Sequence, residues 1–227
     1  MAEAHTRRIR SFVKREGRLT PGQQKNLDRL WPIYGLELPP APLNWPDVFG
    51  RDAPRTLEIG FGAGEVLAEL AERHPEQDFI GIEVYRAGVG RLLGRLDEVG
   101  ATNARVFDTD AVDVLARAFG PASLDTVLLY FADPWPKKRH HKRRIVQPAF
   151  ADEIARVLKP GGIWRLATDW ANYGDHIREV LDRHPKFDNI GDDNGYVSAP
   201  PRPGTRFEHR GLRRGHAVFD MAYRRPV

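Results

Sequence analysis

From residue 54 the chain alternates short apolar runs with amphipathic stretches, and this alternation leaves few folds open to it. TLEIGF, FIGIEV, ARVFDTDA, LDTVLLYFAD and GGIWRLATDW have the length and composition of buried strands. EVLAELAERH, RAGVGRLLGRLDEVG, DVLARAF and YGDHIREVLDRH carry helical spacing, the second weakened by its glycines. A further helix is predicted over residues 143–158, with KPGG as its stop signal, and AVFDMAYRR alternates as a last, partly exposed strand. Strands joined through helices pair in parallel, so the expected fold is α/β, a sheet with helices on both faces.

Residues 1–50 read differently, as a basic, partly flexible N-terminal extension outside the core, with a single domain over residues 51–227. Thr20, Pro21 and Gln23 suit the N-cap, N1 and N3 positions of a short helix over QQKNLDRLW. LPPAPLNWP then reads as an extended connector. No apolar run approaches the length of a membrane span, and the N-terminal stretch lacks the apolar centre of a secretory signal, so a cytoplasmic protein with no membrane partner is expected. The absence of cysteine excludes disulfides, thiolate metal sites and cysteine nucleophiles.

A net charge of +4 conceals a strong asymmetry. Residues 1–20, 134–147 and 200–227 together hold nineteen Lys/Arg against four acids, and the rest of the chain holds sixteen against twenty-seven. An acidic body with three basic segments points to a polyanion held at defined places, affinity being helped by counterion release. Basic tails that only aid solubility are the plainer reading of either terminus alone.

In LEIGFGAGE, Gly60, Gly62 and Gly64 follow the first strand and open a helix, where glycines permit a tight turn and close approach of backbone to a ligand. A dinucleotide fingerprint would need its third glycine at position 65, which is Glu65, and a carboxylate there repels a pyrophosphate. Glu83 ends the second strand, where an acid takes ribose hydroxyls. Glu58 lies in the first strand within reach of a ligand ammonium, and Asp110 follows the third strand. Acids on three neighbouring strands, facing a nucleoside that carries an amino-acid group, fit S-adenosylmethionine; loop acids and helix caps are the structural alternative.

DPWPKKRHHKRR, residues 133–144, places Asp133 at the end of the fourth strand, with prolines around Trp135 and six Lys/Arg behind it. Lys137, Lys138, Arg139, Lys142, Arg143 and Arg144 read as phosphate contacts. Trp135 either stacks on an unpaired base or packs within its own loop. His140 and His141 are adjacent and lack the spacing of a metal pair, so no metal is expected.

With LEIGFGAG, GIEVY, ATDW and the late TRFEHRG, this stretch resembles the bacterial tRNA (guanine-N7-)-methyltransferases over residues 54–224, although Ala132 stands where that family generally has proline. The resemblance implies a Rossmann-like, mostly parallel seven-stranded sheet with an antiparallel last strand. It also implies methyl transfer from S-adenosylmethionine to N7 of the variable-loop guanine (position 46) of tRNA. It assigns Glu58, Glu83, Asp110 and Asp133 to the donor, beside Gly60, Gly62 and Gly64, and makes Asp133 the catalytic residue. Lys137, Asp169 and the segment Thr205, Arg206, Phe207 and Glu208 are assigned to the tRNA. Apart from that resemblance, a monomer or homodimer is expected. Thr205 and Glu208 also satisfy the pattern of a capping box. Competing readings are a methyltransferase of small molecules, proteins or another RNA, and a non-catalytic RNA-binding module.

Overall fold

A computed structural model describes residues 10–12, 18–198, 202–204, 208 and 217–227. Five strands, β1 (Arg55–Ile59), β2 (Asp78–Ile82), β3 (Ala104–Phe107), β4 (Leu124–Tyr130) and β5 (Leu158–Thr168), run parallel in one sheet. β7 (Phe219–Arg224) pairs antiparallel with β5, and the two-residue β6 (Asp188–Asn189) pairs antiparallel with β7. The strand order is β3-β2-β1-β4-β5-β7-β6, so the chain reverses its direction of travel between β1 and β4. In an open α/β sheet that switch point leaves a crevice beyond the strands' carboxyl ends, and it lies beside residues 60–64 and 131–137. The sheet agrees with the sequence reading, except that β6 is too short to leave a sequence pattern.

Side chains alternate across the sheet into two cores. Leu57 and Ile59 of β1, Ile80 and Ile82 of β2 and Val127 and Leu129 of β4 pack with α5 (Ala111–Ala118), α6 (Pro148–Val157) and α7 (Ala171–Leu181). Phe79 and Val106, on the opposite pleat, pack with α1 (Pro21–Tyr34), α3 (Glu65–Arg73) and α4 (Arg86–Glu98).

Residues 20–49 differ from expectation. Thr20 and Gln23 do form a capping box, with Gln23 N donating to Thr20 Oγ1 at 3.3 Å and Thr20 N to Gln23 Oε1 at 2.9 Å. The helix they start is core, however: Leu27, Leu30 and Tyr34 are buried against α4. Trp45, in the short α2 (Trp45–Phe49), stacks on Phe119 at 4.7 Å within the main core. The glycines of α4 make this possible. A Cβ on Gly90 would lie 2.8 Å from the Gln23 carbonyl oxygen, and one on Gly94 2.4 Å from Asn26 Nδ2. They mark close approach, which outweighs their cost in helix propensity.

The helix expected over 143–158 is also corrected. Lys138–Arg143 forms a 3-10 turn, the chain then runs extended, and α6 begins at Pro148, whose fixed φ suits the first helical position. KPGG is not a loop after the helix but lies inside β5, which begins at Leu158.

Candidate functional site

Gly60, Gly62 and Gly64 link β1 to α3 with φ of 73°, 58° and 73°, the left-handed region where a side chain is strained. Gly60 N donates to Ile82 O at 2.8 Å, which fixes the loop against β2. A Cβ on Gly60 would meet nothing within 4 Å, so the loop opens onto space at that point. Glu83 closes its other side, Oε2 accepting from Gly62 N at 2.8 Å and Oε1 from Val84 N at 2.7 Å and Tyr85 N at 2.9 Å. Burial raises the Glu83 pKa, and those three backbone N–H groups oppose the rise by favouring the ionised form.

Glu58 lies beneath the loop. It is 5% exposed, and its Oε2 has no hydrogen-bond partner. Burial, followed by repulsion from Glu83, pushes its carboxyl up to about 8, against a hydrogen bond from the Leu67 backbone. A buried carboxylate costs several kcal/mol unless a cation meets it, so this group is suited to an ammonium entering from the loop side. Asp110 stands past the end of β3 and caps α5, its Oδ1 accepting from Val112 N at 3.1 Å. The capping role foreseen as the alternative is therefore present, on the same sheet edge as the other two acids.

β4 ends at Tyr130, and Phe131 turns the chain with φ 54°. Asp133 follows, exposed, close enough to Tyr173 that its charge adds to the rise that burial imposes on that phenol. Asp169 is half-buried immediately after β5, the next strand of the sheet. Lys137, Lys138, Arg139 and Lys142 are exposed along the 3-10 turn. Thr205, Arg206 and Phe207 lie outside the described residues. Glu208 is half-buried and paired with Arg202.

The six cations of the basic run divide into two groups, which corrects their common reading as phosphate contacts. Arg144 is 2% exposed. Its Nε donates to Pro134 O at 3.0 Å and its Nη2 to Asn172 Oδ1 at 2.7 Å, with the guanidinium over the Tyr173 ring. It ties the Asp133 loop to α7. Arg143 stacks on Trp135 at 4.2 Å and donates to the carbonyls of Arg10 and Phe12, while Trp135 Nε1 donates to Ser11 O at 2.9 Å. Trp135 therefore packs within its loop and holds the N-terminal segment by its backbone. Replacing Arg144 by Met leaves the Pro134 carbonyl and Asn172 without their donor, so we expect a loss of about 2–3 kcal/mol of unfolding free energy, read from the urea midpoint.

Sequence reasoning missed Arg144's inward role, because within a charge run nothing separates a buried arginine from its exposed neighbours. It missed Arg202 for want of any local signal. Among the described residues no His/Cys/Asp/Glu cluster suited to a metal occurs, and no helix is long and apolar enough to cross a membrane.

Solved structures share this architecture at low identity. "Crystal Structure of 16S rRNA Methyltranferase KamB" aligns with TM-score 0.56 and 11% identity over 81% of this chain and 93% of that one. A SAM-dependent methyltransferase from Aquifex aeolicus aligns with TM-score 0.53 and 13% identity over 78% and 86%. The fold is thus that of the Rossmann-like methyltransferases, and a family model described as "Putative methyltransferase" matches residues 52–221. Two relatives named tRNA (guanine-N(7)-)-methyltransferase are much closer. Those of Alkalilimnicola ehrlichii and Edwardsiella ictaluri are each 54% identical, over 96% of this chain and 93% and 92% of theirs. The chain belongs to the tRNA (guanine-N(7)-)-methyltransferase family.

Proposed function

We propose that the protein transfers a methyl group from S-adenosylmethionine to N7 of the variable-loop guanine of tRNA, position 46, forming 7-methylguanosine. The observation that carries this reading is the placement of Asp133. Asp133 is exposed just past the switch-point end of β4, the strand beside β1 and its glycine loop, and the four exposed cations of residues 137–142 follow it in the chain.

The residues present suit the donor. Glu58, buried with an unpartnered oxygen, would take its ammonium; Glu83 would take the ribose hydroxyls; Asp110 would stand further along the same edge. When bound, the donor supplies an electrophilic methyl group. Guanine N7 already has a free lone pair, so no base is needed to generate the nucleophile, and the protein's contribution is position and charge. Asp133 accepts from N1–H and the exocyclic amine, which turns N7 toward the methyl group. Its negative charge also opposes the positive charge that develops on the purine. Asp169, from the neighbouring strand, assists in holding the base.

Lys137, Lys138, Arg139 and Lys142 face the tRNA backbone. Glu208 and the rest of the 205–208 segment contact the substrate. The molecule is read as a monomer or homodimer. The cytoplasm, where tRNA is available, is the expected compartment. The test is incubation with unmodified tRNA and labelled donor, followed by nucleoside analysis. We expect 7-methylguanosine, with tRNA affinity falling linearly in log–log form as salt rises and the slope shallower by about 1 for each of the four cations neutralised. Donor binding with no methylated nucleoside would refute the reading.

A further inference from the structure

Arg202 forms a buried polar junction outside the donor cleft, and no role described so far uses it. Its side chain is 3% exposed, and all five of its N–H groups have partners. Nε and Nη2 donate to Asp220 Oδ1 and Oδ2 at 2.7 and 2.9 Å. Nη1 and Nη2 donate to Glu208 Oε2 and Oε1 at 2.6 and 3.1 Å, and Nη1 also reaches Pro203 O at 3.4 Å. The guanidinium lies over the rings of Tyr130 and Phe131, 5.2 and 5.6 Å from their centroids.

These contacts join three elements that the site needs in register. Asp220 is on β7, opposite Ala167 of β5. Tyr130 and Phe131 are the end of β4 and the turn from which Asp133 projects. Phe131 holds φ 54°, unusual for a bulky residue and kept only where surroundings impose it; its N–H is tied to Ala167 O at 2.8 Å. Glu208 is the remaining arm of the junction. One cation between two carboxylates leaves a net negative charge in a nearly dry place, where apolar side chains of equal volume would be as stable. What the ionic junction adds over such a cluster is geometry, because a planar fork binds two carboxylates in fixed orientations and a lysine cannot.

We infer that Arg202 is a positioning residue for methyl transfer, orienting the Glu208 carboxylate toward the guanine site and seating the Phe131 turn that presents Asp133. The inference rests on the reading of Glu208 as a substrate contact. It assigns Arg202 no contact with donor or base.

Steady-state kinetics on tRNA, donor titration and melting curves of Arg202→Lys, Glu208→Gln and the double variant test it. Arg202→Lys should lower kcat/KM for tRNA by about 10²-fold, the scale of an ångström of misplacement, with donor affinity within about twofold of wild type. The double variant should be no slower than the slower single one, since both changes remove the same interaction. Should Arg202→Lys fail to fold, Asp220→Asn, which loosens the fork from the other side, should show the same selective loss. Normal tRNA kinetics in Glu208→Gln would overturn the Glu208 assignment and the inference with it. A slow Glu208→Gln beside a normal Arg202→Lys would overturn the inference alone, as would losses that multiply in the double variant.

Discussion

Asp133→Asn slows methyl transfer to tRNA by about 10²–10³-fold, the range measured when one preorganised group facing a developing charge is removed, and leaves donor affinity close to wild type. Asparagine preserves size and the turn before Pro134. It offers only one acceptor oxygen, however, and puts an N–H₂ where guanine N1–H and the exocyclic amine both donate. The charge that opposes the purine's developing positive charge is lost as well. Donor binding is spared because the groups proposed to hold the donor, Glu58 buried in β1 and Glu83 just past β2 accepting from the glycine loop, lie on other strands. Asp133 is exposed, so its replacement should not unfold the protein. Single-turnover rates with saturating donor, together with calorimetric donor binding, separate the two effects. Unchanged turnover would remove Asp133 from the mechanism.

The second large effect belongs to Glu58. With its carboxyl pushed up to about 8 by burial, the group is neutral in the empty site at pH 7 and must ionise to meet an ammonium. Donor affinity should therefore rise about tenfold per pH unit from pH 6, peak near pH 8, and fall once an α-amino group of ordinary pKa, about 7.7–8.0, loses its own proton. Glu58→Gln should abolish the rising limb and weaken binding by about 10²–10³-fold, the cost of leaving a buried partner charge unpaired. The stability effect has the opposite sign. A carboxyl whose folded pKa lies above its unfolded value of 4.5 keeps its proton in the folded state after the unfolded chain has released it. Ligand-free stability consequently declines as pH rises from 4.5 to 8, by a few kcal/mol in total. Glu58→Gln should then melt higher than wild type at pH 8 without ligand, and the difference should narrow when both are saturated with donor.

The division of the chain into readable and unreadable parts has physical causes. The parallel sheet was legible because strand and helix periods alternate and because its strands are largely buried, β1 and β2 at every position. The placement of Glu58, Gly60 and Glu83 on the sheet edge was legible because the end of a strand, a glycine turn and a helix start follow one another in sequence. Long-range contacts were not. Leu27 and Leu30 looked like part of a peripheral extension because their partners on α4 are some sixty residues distant, where glycines had suggested a weak helix. Arg143 and Arg144 looked like their exposed neighbours because charge runs do not encode which cation turns inward. Arg202 meets Asp220, eighteen residues on, and the Tyr130–Phe131 turn about seventy residues back, so no local pattern foreshadowed it. The start of α6 was misplaced by five residues because Pro148, which fixes it, was read as continuing a helix already begun.

The site proposed around Asp133 should methylate one guanine, at N7. Two transcripts of a single tRNA, one with guanine at position 46 and one with adenine there, test it most directly when each is treated with the protein and donor and its nucleosides are then analysed. Up to one 7-methylguanosine per molecule of the first transcript is expected, and none in the second. Equal methylation of both transcripts, or a product other than 7-methylguanosine, would contradict it.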